Sequence, residues 1–181
     1  MNKALMLIDI QNDYFENGAN PLINASQAAD KAKELLHYFR EQQLPVIHIK
    51  HLSVRPDATF FIPDTQGAEI YHTLQPIDGE KVIVKNYPNS FRNTELLEYL
   101  KSLEVDELVI CGMMTHMCVD ATVRAAKDFG FNCRLVADAC ATKDLEILGM
   151  KIKAEQVQLS FLAALNYFYS EVVNTNSIIN G

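Results

Sequence analysis

One continuous stretch of the sequence, residues 108–126, restricts the possible folds more than any other. It opens with a short apolar run that ends at Gly112, which is typical of a buried strand. It closes with apolar residues at helical spacing, and Gly130 follows as a stop signal. Thr115 lies in the turn between them and is a candidate N-cap. The stretch therefore predicts a strand, a tight turn and a helix, with Cys118 near the first helical turn.

The position of Cys118 has a chemical consequence. A helix N-terminus carries about half a positive charge and favours an anion. A thiol held there is expected to have a lowered pKa and to react as a thiolate, the form that attacks carbonyl groups. We therefore predict that Cys118 is a nucleophile. The competing interpretation, a small cysteine packed at the start of a helix, remains open at this point.

The rest of the chain alternates between apolar runs and amphipathic stretches, which is typical of βαβ units. This pattern predicts an α/β fold of three αβα layers, with a mostly parallel sheet of about six strands, in a single domain over residues 1–181. The predicted strands are 4–8, 45–49, 81–84, 108–111, 133–136 and, at an edge, 171–173. The predicted helices are 24–43, 93–103, 119–129, 143–148 and 151–168.

Composition excludes several classes of function. The 181 residues carry a net charge of −7, which argues against nucleic acid or an anionic membrane as a partner. No apolar run is long enough to span a bilayer or to serve as a signal-peptide core, so we expect a cytoplasmic protein. The four cysteines form no CxxC pair and are expected to be free thiols. Neither GxGxxG nor a P-loop occurs, so we expect no organic cofactor.

Three chemically capable residues follow predicted strands: Asp9, Lys85 and Cys118. In a parallel sheet, ligands bind outside the carboxyl ends of the strands, so these residues can meet in one crevice. There Cys118 would attack a carbonyl, Asp9 would transfer protons and Lys85 would supply a fixed positive charge. Taken singly, Asp9 is also a common turn residue and Lys85 a common surface residue.

Three motifs contain these residues: 9–15, 82–85 together with 89–96, and 109–119. Residues 138–139 follow downstream of the third motif. In this order and spacing the chain resembles the isochorismatase-like cysteine hydrolase superfamily. That superfamily includes nicotinamidases, N-carbamoylsarcosine amidases, ureidoacrylate amidohydrolases and isochorismatases. The resemblance implies that Asp9, Lys85 and Cys118 form a catalytic triad. It also implies a cis peptide between Met113 and Met114, with the backbone N–H groups of Met114 and Cys118 forming an oxyanion hole.

The resemblance also bears on metals and assembly. Nicotinamidases bind a metal through an Asp-x-His pair and a further histidine after the second strand. This chain has His48 and His51 there but no Asp-x-His pair, so we predict no metal site. Family members are usually homo-oligomers, so we expect a dimer or tetramer, with aromatic residues of 161–169 as candidates for the interface.

Residues that contact the substrate are harder to predict. Residues 51–80 form a long, loop-like segment that we expect to cover the crevice. Gln11 or Asn12 could orient Asp9. Each candidate could equally be a packing residue. The candidates for lining the pocket are Gln11, Asn12, Phe61, Tyr71, Tyr87, Phe91 and His116.

The leading hypothesis is a hydrolase that cleaves a C–N bond of a small amide, ureide or carbamoyl compound through a thioester on Cys118. One alternative is vinyl ether hydrolysis of the isochorismatase type, which does not need the cysteine. Another is a catalytically idle, oligomeric member of the family that binds ligands or responds to oxidation through Cys118.

Overall fold

A six-stranded sheet forms the centre of the protein, whose computed structural model describes residues 2–181. The strand order is β3-β2-β1-β4-β5-β8, and all neighbouring pairs are parallel. Its strands are β1 Lys3–Ile8, β2 Val46–His51, β3 Lys81–Lys85, β4 Glu107–Met113, β5 Asn132–Ala141 and β8 Glu171–Val173. The predicted α/β fold and six-stranded parallel sheet are confirmed.

Helices cover the sheet, with α1 packed on β1, β4 and β5, while α3 packs on β5 and α4. The helices are α1 Ala25–Glu41, α2 Leu96–Ser102, α3 Asp120–Asp128, α4 Ala154–Phe168 and α5 Thr175–Ile179. A π-helical turn, Thr115–Val119, leads directly into α3. Within residues 2–181, no helix has the length and apolar character needed to cross a membrane.

The central strands explain why the sheet lies inside. In β1 and β4 every residue after the first is buried, because helices cover both faces of a parallel sheet. The inward face of α1 combines small and large side chains, from Ala28 and Ala32 to Leu36 and Phe39. The small residues let the helix approach the sheet closely, and the large ones fill the space between them.

Two local predictions were wrong. The predicted helix over 143–148 is a hairpin of β6 Leu145–Ile147 and β7 Met150–Ile152. Its turn residues, Leu148 and Gly149, both have positive φ angles, 52° and 74°, which is the requirement of a type I′ hairpin turn. Thr115 does not cap a helix, because its hydroxyl donates to the Ala141 carbonyl at 3.2 Å instead.

The segment between β2 and β3 is irregular, as expected, apart from two short 3₁₀ turns at Gln66–Ala68 and His72–Leu74. It is tied to the chain after β1 by an isolated bridge between Gln11 and Ile70. We call residues 52–80 the cover segment.

Candidate active site

Asp9, Lys85 and Cys118 come together at the carboxyl ends of three strands of the sheet, β1, β3 and β4. Lys85 is the last residue of β3, Asp9 follows β1 directly, and Cys118 lies five residues after β4. The Lys85 Nζ atom lies 2.7 Å from Asp9 Oδ2, and both side chains are fully buried. The Cys118 Sγ atom lies within 4.8 Å of an Asp9 carboxylate oxygen. The sheet topology thus brings all three predicted residues to one point.

The backbone at Asp9 turns sharply as it leaves the sheet. Asp9 has a φ of 51°, a left-handed conformation that aspartate tolerates better than most residues. Its N–H donates to Ile49 O at 3.0 Å and its carbonyl accepts from Gln11 N at 3.0 Å. These bonds fix the direction of the carboxylate. Oδ1 of Asp9 is buried and has no hydrogen-bond partner within residues 2–181, so it is available to a proton donor.

Gly112 allows β4 to end close to β1 before the turn that carries Cys118. Its φ is 133°, and a Cβ atom there would lie 2.1 Å from the carbonyl oxygen of Ile8. Only glycine accommodates both constraints. The peptide bond from Met113 to Met114 is cis. The Met114 carbonyl then accepts hydrogen bonds from the N–H groups of Met117 and Val119, at 3.0 and 3.3 Å, which closes the turn around Cys118.

The ammonium group of Lys85 has acceptors on three sides. It donates hydrogen bonds to His51 Nδ1 at 2.8 Å and to the carbonyl oxygen of Tyr87 at 3.0 Å. It also forms an ion pair with Asp9, whose Oδ2 atom lies 2.7 Å from Nζ. Burial alone would lower the pKa of Lys85, but the adjacent Asp9 carboxylate and Cys118 raise it overall. Lys85 is therefore a permanent cation inside the protein.

The electrostatics of Cys118 differ from the sequence-based expectation. Burial in the first place, and then the Asp9 carboxylate, raise the pKa of the Cys118 thiol well above its ordinary value, while Lys85 opposes them. The prediction that the helix N-terminus lowers the pKa of Cys118 was wrong, because burial beside a carboxylate has a larger and opposite effect. Cys118 is thus a neutral thiol at rest, next to a carboxylate that can accept its proton.

Sequence reasoning missed two residues of this site. His51, the last residue of β2, stands opposite Lys85 in the sheet register and its ring contacts the Lys85 ammonium. The rule that strand ends form the site would have identified it. Tyr14 is the second: burial first, and then the charges of Cys118 and Asp9, raise the pKa of its hydroxyl.

Gln11 and Asn12 hold the cover segment and make no side-chain hydrogen bond to Asp9. The Gln11 amide pairs with both backbone groups of His51, at 2.8 and 2.9 Å, and donates to Ala68 O at 2.7 Å. The Asn12 amide donates to Gln66 O at 2.8 Å. Both side chains therefore fasten 52–80 over the end of β1.

Asp13 fastens the same segment from another side. Its Oδ2 atom accepts a hydrogen bond from the backbone N–H of Phe61 at 2.7 Å. A Cβ atom on Gly67 would lie 2.1 Å from Asp13 Oδ1. The absence of a side chain at Gly67 therefore allows the Asp13 carboxylate to occupy this position. No signal in the sequence singled out Asp13 for this role.

Two of the predicted lining residues lie next to the site. Phe61 is buried, with its ring 5.8 Å from the His51 ring and 4.6 Å from the Tyr14 ring, measured between centroids. Tyr87 supplies the carbonyl that accepts from Lys85, and its ring stacks under the Arg92 guanidinium at 3.8 Å. Phe61 is thus the aromatic side chain that covers His51.

The other predicted lining residues make packing contacts. Tyr71 stacks on Phe15, with 3.5 Å between ring centroids. Phe91 packs against Phe129 and Phe131 near α3. The His116 ring hydrogen-bonds the Thr142 hydroxyl and faces Phe161 of α4.

Asp9, His51 and Cys118 have the side-chain types of a metal site, and one ligand atom from each lies within 4.8 Å of the others. The Lys85 ammonium, however, donates to His51 Nδ1 and lies 2.7 Å from Asp9 Oδ2, so it already occupies the space between two of these side chains. A metal ion would have to displace a buried cation from its acceptors. The arrangement therefore does not fit a resident metal ion, and Lys85 provides the positive charge instead.

Comparison with known proteins gives consistent results. Residues 3–161 match the isochorismatase domain. The chain is 48% identical over 179 residues to the uncharacterized isochorismatase family protein YddQ of Bacillus subtilis, covering 99% of each protein. A crystal structure from Oleispira antarctica, described as an isochorismatase hydrolase, superposes with a TM-score of 0.96 at 43% identity, covering 99% of this chain and 97% of that one.

Two relatives with named activities are more distant. The streptothricin hydrolase of Streptomyces noursei is 33% identical over 143 residues, 79% of this chain and 51% of that protein. The nicotinamidase of Escherichia coli is 25% identical over 175 residues, with 76% and 82% covered. Together, the matched domain and the near full-length relatives show that this chain belongs to the isochorismatase family of hydrolases.

Proposed function

We propose that the protein hydrolyses a C–N bond of a small amide, ureide or carbamoyl compound through a thioester on Cys118. The observation that carries the proposal is a buried thiol within 4.8 Å of a carboxylate oxygen of Asp9, which forms a buried ion pair with Lys85. A nucleophile beside a base, with the base held by a third group, is the arrangement that covalent catalysis needs. Among the relatives, a nicotinamidase is named for amide hydrolysis.

The first half of the reaction forms the thioester. Asp9 takes the Cys118 thiol proton as Sγ attacks the carbonyl carbon, so no thiolate has to exist beforehand. The negative charge moves to the carbonyl oxygen, where the backbone N–H groups of Met114 and Cys118 are the proposed donors. Asp9 then gives its proton to the leaving nitrogen, the C–N bond breaks, and an amine or ammonia departs.

The second half regenerates the enzyme. Asp9 takes a proton from water as the water oxygen attacks the thioester carbonyl. The C–S bond breaks, and Cys118 leaves as a thiol when Asp9 returns the proton. Lys85 keeps its charge throughout, so it holds the Asp9 carboxylate in one orientation in both halves.

The first prediction concerns Cys118→Ala. We expect this variant to keep the fold but to lose turnover, by about 10³-fold or more, because the covalent step is removed. The measurement is ammonia or amine release from a panel of primary amides, N-carbamoyl amino acids and cyclic amides. Rapid quenching and mass spectrometry of the wild-type protein should reveal an acyl adduct on Cys118.

The control is Cys133→Ala, because Cys133 is a buried thiol on β5, outside the site. It should retain wild-type turnover. Retention of amide hydrolysis by Cys118→Ala would overturn the thioester mechanism. Cleavage of a vinyl ether by both the wild type and Cys118→Ala, with no amide turned over, would favour ether hydrolysis. If neither the amide panel nor a vinyl ether is turned over, the protein is the idle family member.

We also propose that the protein works as a homo-oligomer acting on a small molecule. Its support is the exposure of large apolar side chains on α4, where Tyr167 is 92% and Leu159 62% exposed. Apolar surface of this kind on a small domain usually meets a partner.

A further inference from the structure

His51, like Tyr14, is a side chain of this site that the proposed reaction leaves without a role. It is largely buried, with 15% of its side chain exposed, and lies at the end of β2. Its Nδ1 atom accepts a hydrogen bond from Lys85 Nζ at 2.8 Å. The same Nδ1 atom lies 3.8 Å from Asp9 Oδ2. His51 thus lies beside both members of the Asp9–Lys85 ion pair.

The hydrogen bond determines the state of the ring. An ammonium group only donates, so Nδ1 of His51 carries no proton and the proton of the neutral ring is on Nε2. Burial foremost, and then the positive charges of Lys85 and Arg55, lower the pKa of His51 to about 4, although Asp9 opposes them. His51 is therefore neutral at physiological pH.

This state excludes His51 as the general base. Its only basic atom, Nδ1, is already bonded to Lys85. Asp9, by contrast, has one oxygen bound to Lys85 and a second, Oδ1, with no partner within residues 2–181. The proton of Cys118 thus has a free acceptor on Asp9 and none on His51.

The backbone and the ring of His51 are each held by a contact. The Gln11 side chain pairs with the backbone N–H and C=O of His51, at 2.8 and 2.9 Å. On the open side, Phe61 covers the ring at 5.8 Å between centroids. Nδ1 therefore presents a fixed acceptor to Lys85, on the strand next to β3.

We propose that His51 is a positioning residue, whose neutral ring accepts a hydrogen bond from the Lys85 ammonium and holds it against the Asp9 carboxylate and Cys118. This proposal rests on the proposed function for its catalytic meaning. The physical effect of His51 on Lys85 can be measured without any substrate. A flexible lysine side chain has many rotamers, and the His51 and Tyr87 acceptors select the one that meets Asp9.

The test compares His51→Leu with His51→Asn. Leucine removes the acceptor, whereas asparagine places a carbonyl oxygen at the position of Nδ1. The readout is the titration of Lys85, followed by ¹³C NMR of its Cε resonance in labelled protein and assigned by its loss in Lys85→Met. His51→Leu should lower the pKa of Lys85 by about one unit or more, because the buried ammonium loses a hydrogen-bond acceptor. In His51→Asn the pKa of Lys85 should remain close to the wild-type value.

A second readout is the rate of Cys118 alkylation by iodoacetamide at fixed pH. Lys85 favours the Cys118 thiolate, so a displaced or deprotonated Lys85 should slow labelling about tenfold in His51→Leu and much less in His51→Asn. Where the amide panel yields a substrate, kcat should fall roughly 10- to 100-fold in His51→Leu, with little change in KM.

His48→Asn is the matched control, because His48 is also a buried histidine of β2 but hydrogen-bonds Glu80 and not Lys85. It should lower stability and leave both readouts unchanged. If Lys85 has the wild-type pKa in His51→Leu and Cys118 is alkylated at the wild-type rate, the positioning role is overturned. If those readouts shift while no amide is turned over, the proposed function fails and the role of His51 in holding Lys85 stands.

Discussion

At the scale of single residues, the site contains the Asp9 carboxylate, the Lys85 ammonium and the Cys118 thiol. Both charged groups change the pKa of the thiol. Asp9 raises the pKa of Cys118 and Lys85 lowers it, with burial raising it most. The sequence predicted that these three residues meet, from their positions at the ends of predicted strands and from the family resemblance. It could not indicate the sign of the pKa shift, because that sign depends on how deeply Cys118 is buried and on its distance from Asp9.

This balance leads to a second prediction, for Asp9→Asn. The substitution removes the negative charge and leaves Lys85, so the pKa of Cys118 should fall. Alkylation of Cys118 at neutral pH should become at least about tenfold faster, while hydrolysis should drop by about 10²- to 10⁴-fold because proton transfer is lost. Thiol reactivity and turnover should thus move in opposite directions.

The measurement is iodoacetamide labelling, with each cysteine quantified separately by mass spectrometry. Cys111, fully buried on β4, is the internal control and should label equally slowly in both proteins. Slower labelling of Cys118 in Asp9→Asn than in the wild type would show that Asp9 does not hold the thiol in its protonated form.

At the scale of elements, the strands were easier to predict than the connections. Each central strand is a short, continuous apolar run, because both faces of the sheet are covered. The hairpin at 145–152 was missed because its turn depends on positive φ at Leu148, a conformation that leucine rarely adopts. The fastening of the cover segment by Gln11 and Asp13 depends on long-range contacts that local patterns do not contain.

One buried network links three of these elements. Glu80, at the end of the cover segment, accepts hydrogen bonds from Arg40 of α1 at 2.7 and 2.9 Å. It also accepts one from His48 Nε2 of β2 at 2.8 Å and one from Ile77 N at 3.1 Å. Burial alone would raise the pKa of Glu80, but hydrogen bonds from Arg40, Ile77 and His48 lower it to about 2.

The lowered pKa of Glu80 leads to a third prediction, on how stability depends on pH. A carboxyl whose pKa falls from 4.5 to about 2 on folding stabilises the native state above pH 4.5, and this contribution is lost as the pH falls towards 2. Glu80→Gln should lower the free energy of unfolding at pH 7 by about 2–3 kcal/mol. The free energy of unfolding should also fall less between pH 5 and pH 3 in Glu80→Gln than in the wild type, because the Glu80 carboxyl titrates in this window.

Urea unfolding at pH 7, 5 and 3 measures both effects. The comparison variant is Glu34→Gln, because Glu34 forms an exposed ion pair with Lys31 at 2.8 Å. Such a surface pair contributes less than about 1 kcal/mol, so this variant should follow the wild-type profile. If the free energy of unfolding changes with pH in Glu80→Gln as it does in the wild type, the stabilising role of the Glu80 carboxylate is contradicted.

At the scale of the whole molecule, the most informative surface is on α4. Its buried face comprises Val157, Leu162 and Leu165, yet Leu159 and Tyr167 on the other side are exposed. A helix that is apolar on both sides is normally covered on both sides. Leu159 and Tyr167 are eight residues apart and so lie on one face of the helix. The aromatic residues of 161–169 suggested an interface from the sequence, and their exposure supports this proposal.

The last prediction follows from this face. Light scattering after size-exclusion chromatography should show an oligomer for the wild type. The double variant Leu159→Glu, Tyr167→Glu should be monomeric, because buried charges at the centre of an interface cost several kcal/mol. Phe129→Glu, which also replaces a half-exposed apolar side chain but lies beyond the end of α3, should retain the wild-type size. A monomeric wild type would contradict the oligomer. An oligomeric double variant would place the interface elsewhere, because two adjacent negative charges on each copy could not be brought together without strong repulsion.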